Sequence, residues 1–504
     1  MPSLTRRQSL LGAAVAALTL KAAGSAQAQE AAPAVAPLSG GPFVTRHTGT
    51  FNGESVAYTA TVGETVVAGP EGAPGVRFIT TSYVRDGADT ATRPVLFLFN
   101  GGPSVASATL HMVGLGPKRI AVAQDPAQPQ PDPQPVVDNA ESVLDAADLV
   151  FIDPAETGFS RIQPGGKRDY FYSAFGDAQS VADFIAAWVK ANGREASPKF
   201  VLGESYGTIR AALVAGRLSK VMPLDGVCLF GQAVNMIETS QRRNNIVSYA
   251  LNITALAAIA AYHGKADRRA KSMAAFIEEA YAWGTTEYLQ ALFKGQALSP
   301  AERQHIALRL QAFTGISADY YLANRLIISK MAFSRELLRD QGKIMGIYDA
   351  RYVGPAPAPG QRAHDPFAPA IAAVGSAMRD HLAQDLGVTW PGADYREAAP
   401  DVDGWLYNVT ASMGGGPFED YDYPADLSKA FQANPKFRLL VGTGIYDLTT
   451  TVGPARYLVS RSDYPADRVF LRQFEGGHVS YTNDPARKAL AADVRAFVTG
   501  GKPA

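Results

Sequence analysis

Between about residues 43 and 84 apolar and polar positions alternate, as in Ser55-Val56-Ala57-Tyr58-Thr59-Ala60-Thr61-Val62 and Val76-Arg77-Phe78-Ile79. A period of two, punctuated by glycine turns, predicts antiparallel strands with one buried face. The pattern then changes. Val95-Leu96-Phe97-Leu98-Phe99 is apolar throughout, as is the centre of Asp148-Leu149-Val150-Phe151-Ile152-Asp153. Such runs belong to strands covered on both faces, as in a largely parallel sheet. Two more stand at Phe200-Val201-Leu202 and Val227-Cys228-Leu229-Phe230, and the last two at Phe437-Arg438-Leu439-Leu440-Val441 and Val469-Phe470-Leu471. Among them Val181, Phe184, Ile185 and Trp188 keep the i, i+3, i+4, i+7 spacing of a one-sided helix. Buried strands alternating with amphipathic helices predict an α/β sheet with crossover connections.

From about 235 to 389 the text turns rich in alanine, leucine and arginine with helical spacing, as in Met273-Ala274-Ala275-Phe276-Ile277-Glu278-Glu279-Ala280-Tyr281. Buried-strand runs are scarce there. This stretch reads as a helical cap inserted between core segments 43–234 and 390–504, and broken by the loop Gly354-Pro355-Ala356-Pro357-Ala358-Pro359-Gly360. Residues 124–135, rich in proline, read as a surface loop, and 29–42 as a flexible lead-in. There is no internal repeat.

The start changes the picture. Arg6-Arg7, a moderately apolar stretch from Leu10 to Leu20, and Ala26-Gln27-Ala28 together describe an export signal over residues 1–28, of the twin-arginine type. The chain is therefore expected in the periplasm or secreted. No later segment is long and apolar enough to anchor it in a membrane. The 47 basic and 47 acidic residues cancel without a long basic run, so nucleic acid is not an expected partner. Cys228 is the only cysteine; no intramolecular disulfide can form, and its apolar setting predicts inert packing.

Candidate chemistry sits at the ends of the buried strands. Gly203-Glu204-Ser205-Tyr206-Gly207 follows Phe200-Val201-Leu202 and precedes Ile209, Leu213 and Leu218 at roughly helical spacing. A serine between glycines on a sharp strand-to-helix turn is lifted above the sheet edge, which makes Ser205 a candidate nucleophile. A hydroxyl needs an imidazole base. Of seven histidines, His478 in Glu475-Gly476-Gly477-His478 lies on a glycine-rich loop just beyond a terminal strand; His47, His111, His263, His305, His364 and His381 have no comparable setting. Asp447 in Gly444-Ile445-Tyr446-Asp447 follows the penultimate strand and lies between serine and histidine, the chain order of α/β hydrolases; Glu475 is the second choice. The loop Asn100-Gly101-Gly102-Pro103-Ser104 completes the set, with the N–H groups of Gly102 and Tyr206 as the pair that would meet an oxyanion.

Assembled, these residues resemble the serine carboxypeptidase family. Its Asn-Gly-Gly-Pro loop is similar to residues 100–103, its Gly-Glu-Ser-Tyr elbow to 203–206, its Asp-x-Pro…Gly-Phe-Ser segment to Asp153-Pro154 with Gly158-Phe159-Ser160, and its Asp and Gly-His elements to 447 and 477–478. The similarity spans roughly 43–500 and is weakest in the cap. It implies an α/β-hydrolase fold with a mostly parallel central sheet and a helical cap, needing neither cofactor nor metal. Ser205 would attack, His478 serve as base and then acid, Asp447 orient it, and Asn100 with Glu204 bind the terminal carboxylate of a peptide. Three positions depart from the family: Ser104 and Val105 replace its usual glycine and cysteine, and Gly114-Leu115-Gly116-Pro117 has glycine at Gly114 where many members carry a second glutamate. The rival readings are an esterase or amidase of the same fold acting on non-peptide substrates, and an inactive binding protein on the hydrolase scaffold.

Overall fold

The computed structural model describes residues 41–390, 394–402, 404–407 and 421–504. The expected export signal and most of the lead-in lie outside the described residues.

The alternating N-terminal segment forms β1 (Phe43–Phe51), β2 (Glu54–Val67) and β3 (Val76–Arg85), paired antiparallel in sequence order. Next come β4 (Val95–Phe99), the short pair β5 (Lys118–Ile120) and β6 (Val136–Asp138) that brackets the loop 124–135, and β7 (Asp148–Ile152). After the two-residue β8 (Arg161–Ile162) follow β9 (Lys199–Glu204) and β10 (Gly226–Phe230). The cap region holds a small hairpin, β11 (Lys343–Met345) with β12 (Val353–Pro355), before β13 (Arg438–Gly444) and β14 (Val469–Phe474) complete the strands of the described residues. The main sheet runs β1-β2-β3-β7-β4-β9-β10-β13-β14, with β8 beside β3. From β7 onward along that order every neighbour is parallel, the arrangement of the α/β-hydrolase fold.

Successive residues of the parallel strands point to opposite faces, and both faces are covered. Leu96, Leu98, Leu202, Cys228 and Leu440 pack with Val494 and Phe497 of the C-terminal helix Asp484–Val498. Val95, Phe97, Phe99, Val201, Val227 and Leu439 pack beneath the helices Ala174–Ala191, Gly207–Leu218 and Tyr423–Ala433. This two-sided burial is why the strands read as unbroken apolar runs. Cys228 is fully buried and unpaired, and burial pushes its thiol pKa up, away from reactivity.

Between β10 and β13 the chain builds a third apolar cluster from the helices Ile246–Tyr262, Met273–Trp283 and Pro300–Thr314, with Ile253, Phe276, Trp283, Leu310 and Phe313 at its centre. Ile445, Tyr446 and Leu448, from the turn after β13, pack into it. Helix ends there are set locally: Ser299 and Glu302 form a capping box with Pro300 in the first turn, and Gly315 closes the helix at φ 68°. Among the described residues no helix is long and apolar enough to cross a membrane.

Candidate active site

Because β4, β9, β13 and β14 are parallel, their carboxyl ends share one edge of the sheet, and the turns carrying Asn100, Ser205, Asp447 and His478 gather there. The glycines around Ser205 are demanded by backbone crossing. A Cβ on Gly203 would lie 2.1 Å from the Gly207 carbonyl oxygen, and one on Gly207 would lie 2.9 Å from that of Asn100. Ser205 itself takes a left-handed φ of 58°, held by its N–H donating to the Phe230 carbonyl at 2.9 Å. Such a conformation costs about 1–3 kcal/mol and is retained where the surroundings over-determine it. It presents Ser205 to a cavity of about 290 Å³.

The loop after β4 lies directly on this turn, since a Cβ on Gly101 would meet the Tyr206 nitrogen at 2.5 Å. Gly102, at φ 109°, lines the same cavity as Ser205 and Tyr206. Among the described residues neither the Gly102 nor the Tyr206 N–H has an acceptor. Two unspent donors beside a serine are what a developing oxyanion needs.

His478 donates from Nδ1 to Oδ2 of Asp447 at 2.8 Å, while Asp447 is fully buried and also accepts from the Thr449 and Thr450 N–H groups and the Thr450 hydroxyl. This hydrogen bond fixes the tautomer with the proton on Nδ1 and leaves Nε2 as the acceptor, the form a general base needs. Glu475, the second choice, is exposed. Burial pulls the His478 pKa down, but the Asp447 carboxylate and then Glu204 outweigh it and raise it to about 9. His478 Nε2 lies 3.4 Å from Glu204 Oε1. Ser205 is adjacent in sequence to Glu204, yet its hydroxyl makes no hydrogen bond to Nε2; in ligand-free sites such bonds commonly tighten only with substrate.

Glu204 is itself buried, and its Oε2 accepts from Asn100 Nδ2 at 2.6 Å. Asn100 Oδ1 accepts the Leu110 N–H at 2.8 Å, which settles which end of the amide faces Glu204. Burial raises the Glu204 pKa, opposed by His478 and Asn100 and reinforced by Asp447. Glu204 and His478 therefore compete for one proton. Where Gly114 leaves no side chain, the Tyr481 ring fills the space, 3.3 Å from the position a Cβ would take. Asp153, of the third matched segment, accepts from the Ser107 N–H at 2.7 Å and so braces the chain after β4.

Sequence reasoning missed the residues that hold these turns. Arg210, fully buried, donates from Nε to Asp177 Oδ2 at 2.7 Å and from a terminal nitrogen to the Asn100 carbonyl at 2.8 Å; Asp177 also accepts the Tyr206 hydroxyl at 3.0 Å. One ion pair thus clamps the β4 loop to the helix behind Ser205. No spacing rule signals a pair 33 positions apart. Asp177→Ala is expected to cost about 3–5 kcal/mol in urea unfolding, because it strands a buried guanidinium. Asp177→Leu with Arg210→Met should recover much of that stability while kcat/KM stays low, since the loop has lost its tether. Among the described residues no group of three or more His, Cys, Asp or Glu side chains is placed to hold a metal ion.

The profile of the serine carboxypeptidase family matches residues 82–224, the stretch from β3 through the β4 loop and the Ser205 turn. Similar solved structures include a proline iminopeptidase from Mycobacterium smegmatis, 14% identical with a TM-score of 0.34, the alignment covering 90% of this chain and 98% of that one. A peroxisomal α/β-hydrolase from Saccharomyces cerevisiae is 9% identical with a TM-score of 0.35, covering 88% and 90%. Comparison with curated proteins returns no significant match. The family match and the strand order make this chain a hydrolase of the α/β-hydrolase fold, similar to the serine carboxypeptidases over the matched stretch.

Proposed function

We propose that this chain is a serine-type carboxypeptidase. Ser205 Oγ attacks the carbonyl of the last peptide bond as its proton passes to His478 Nε2, and Asp447 stabilises the imidazolium through Nδ1–H. The tetrahedral oxyanion receives the Gly102 and Tyr206 N–H groups. His478 then hands the proton to the departing amine, leaving an acyl-Ser205 that water hydrolyses with His478 again as base.

The observation that carries the exopeptidase reading is Glu204, hydrogen-bonded to Asn100 and 3.4 Å from Nε2. The leaving amine takes its proton from Nε2, and the carboxylate of a terminal amino acid lies only about 3 Å from its own nitrogen. Glu204 and Asn100 are thus within reach of that carboxylate. A carboxyl group meets a carboxylate favourably only as the neutral acid, and burial of Glu204 favours that form. N-blocked peptides with a free C-terminus should be cleaved, and their C-terminal amides poorly. Equal cleavage of both would replace this reading with the esterase or amidase.

We also propose export to the periplasm by the twin-arginine route. N-terminal sequencing of the mature protein should begin near Gln29, and changing Arg6 and Arg7 to lysine should hold the precursor in the cytoplasm. Undiminished export of that variant would point to the general secretory route.

A further inference from the structure

The cavity beside Ser205 contains a cation. Lys330 is the first residue of the cap helix Lys330–Glu336, where the helix dipole disfavours a positive charge, and it lines the cavity with Ser205, Gly102 and Tyr206. Its Nζ donates to the Thr449 carbonyl at 2.6 Å. An ammonium has three N–H donors, so two are left for a ligand. Among the described residues, the carboxylate that acts on Lys330 is Asp447, whose oxygens are taken by His478 and the Thr449 and Thr450 amides. Burial lowers the Lys330 pKa, and Asp447 offsets this only in part. Its backbone is held in place, the N–H donating to Gln241 Oε1 at 2.8 Å.

The rest of the wall is neutral: Gln232, Gln241, Thr239 and Thr450 add polar groups, and Met236 and Pro454 apolar surface. Asn100 and Glu204, the residues assigned above to the terminal carboxylate, do not line this cavity. It therefore takes the other side of the scissile bond, and about 290 Å³ is small enough to suit a single side chain. Resting on the proposed function, we infer that Lys330 makes this an acyl-side pocket for an acidic side chain, so that Asp or Glu is preferred as the residue whose carbonyl Ser205 attacks.

The test compares N-blocked Glu-Phe, Gln-Phe and Leu-Phe with the p-nitrophenyl esters of N-blocked Glu and Gln, which carry no terminal carboxylate. In both series Glu should exceed Gln in kcat/KM by roughly ten- to hundredfold, the worth of a hydrogen bond to a charged group. The preference should fade as pH drops below about 4, where the substrate carboxyl is neutralised. Lys330→Met should bring the Glu-to-Gln ratio to near one, and Lys330→Arg should retain most of it. No Glu preference in the unaltered enzyme, or an unchanged ratio in Lys330→Met, overturns the inference. So does a Lys330→Met defect that raises KM alike for all free-terminus peptides and spares the esters, since Lys330 would then bind the terminal carboxylate. If esters show the preference but peptides are not cleaved, the pocket stands and the carboxypeptidase reading fails.

Discussion

Ser205→Ala and His478→Ala are each expected to lower kcat/KM by roughly 10⁴- to 10⁶-fold, because nucleophile and base act as one unit in the chemical step. Combining the two should cost little more than either alone. Asp447→Asn is expected to lose somewhat less, about 10⁴-fold, since an amide keeps the shape but favours the wrong imidazole tautomer. Its buried, fourfold hydrogen-bonded carboxylate distinguishes it from exposed Glu475, whose change to Gln should leave turnover near wild type. A fluorophosphonate should label the wild type at Ser205 and fail to label Ser205→Ala. If the wild type is not labelled and Ser205→Ala binds the same peptides unchanged, the chain is a binding protein on this scaffold. If Asp447→Asn is near wild type while Glu475→Gln is inactive, the roles of the two carboxylates are reversed.

The strand ends were legible because the strands are buried on both faces, so β4, β7, β9, β10 and β13 stand out as apolar runs and their turns as the glycine-rich text between. Sheet order was not, since pairing is a tertiary fact: β7 enters between β3 and β4. The hairpin of β11 and β12 escaped because three residues carry no period. The helix Ile246–Tyr262 is buried on nearly all sides, so it shows helical composition without a polar stripe. At the site, the residues proposed to act lie on turns with their own local signature, whereas those that hold them do not. Asp177, Arg210 and Lys330 matter through partners far along the chain. The same holds for histidines that look isolated in sequence. His111 and His381 both reach the Tyr83 hydroxyl, at 2.7 and 2.8 Å, and His381 Nδ1 lies 2.6 Å from Asp385. The sequence showed that Gly114 lacks a carboxyl group; only the structure shows an aromatic ring in its place.

Glu204→Gln is expected to separate the pH profiles of peptides and esters. Glu204 and His478 face each other at 3.4 Å, Glu204 is pushed toward its neutral form by burial, and His478 is raised to about 9 mainly by Asp447 and Glu204 against burial. Such a pair titrates as a unit. With one proton shared between them, the form useful to a free-terminus peptide places it on Glu204 and leaves Nε2 bare. Esters need only the bare Nε2, so their kcat/KM should rise with pH as the pair loses that proton. In Glu204→Gln a neighbouring negative charge is gone, the imidazolium is less stabilised, and the ester profile should move to lower pH. For free-terminus peptides the wild type should bind best on the acidic side and show KM rising toward alkaline pH as Glu204 ionises and repels the substrate carboxylate. Glutamine donates an N–H at every pH, so the KM of Glu204→Gln should stay flat over that range. Steady-state kinetics from pH 4 to 10 with one peptide and one ester decide the matter. A shifted ester profile with an unchanged peptide KM profile would keep Glu204 as a charge beside the base and remove it from the terminal-carboxylate site. That result would leave the chain a serine esterase or amidase of this fold.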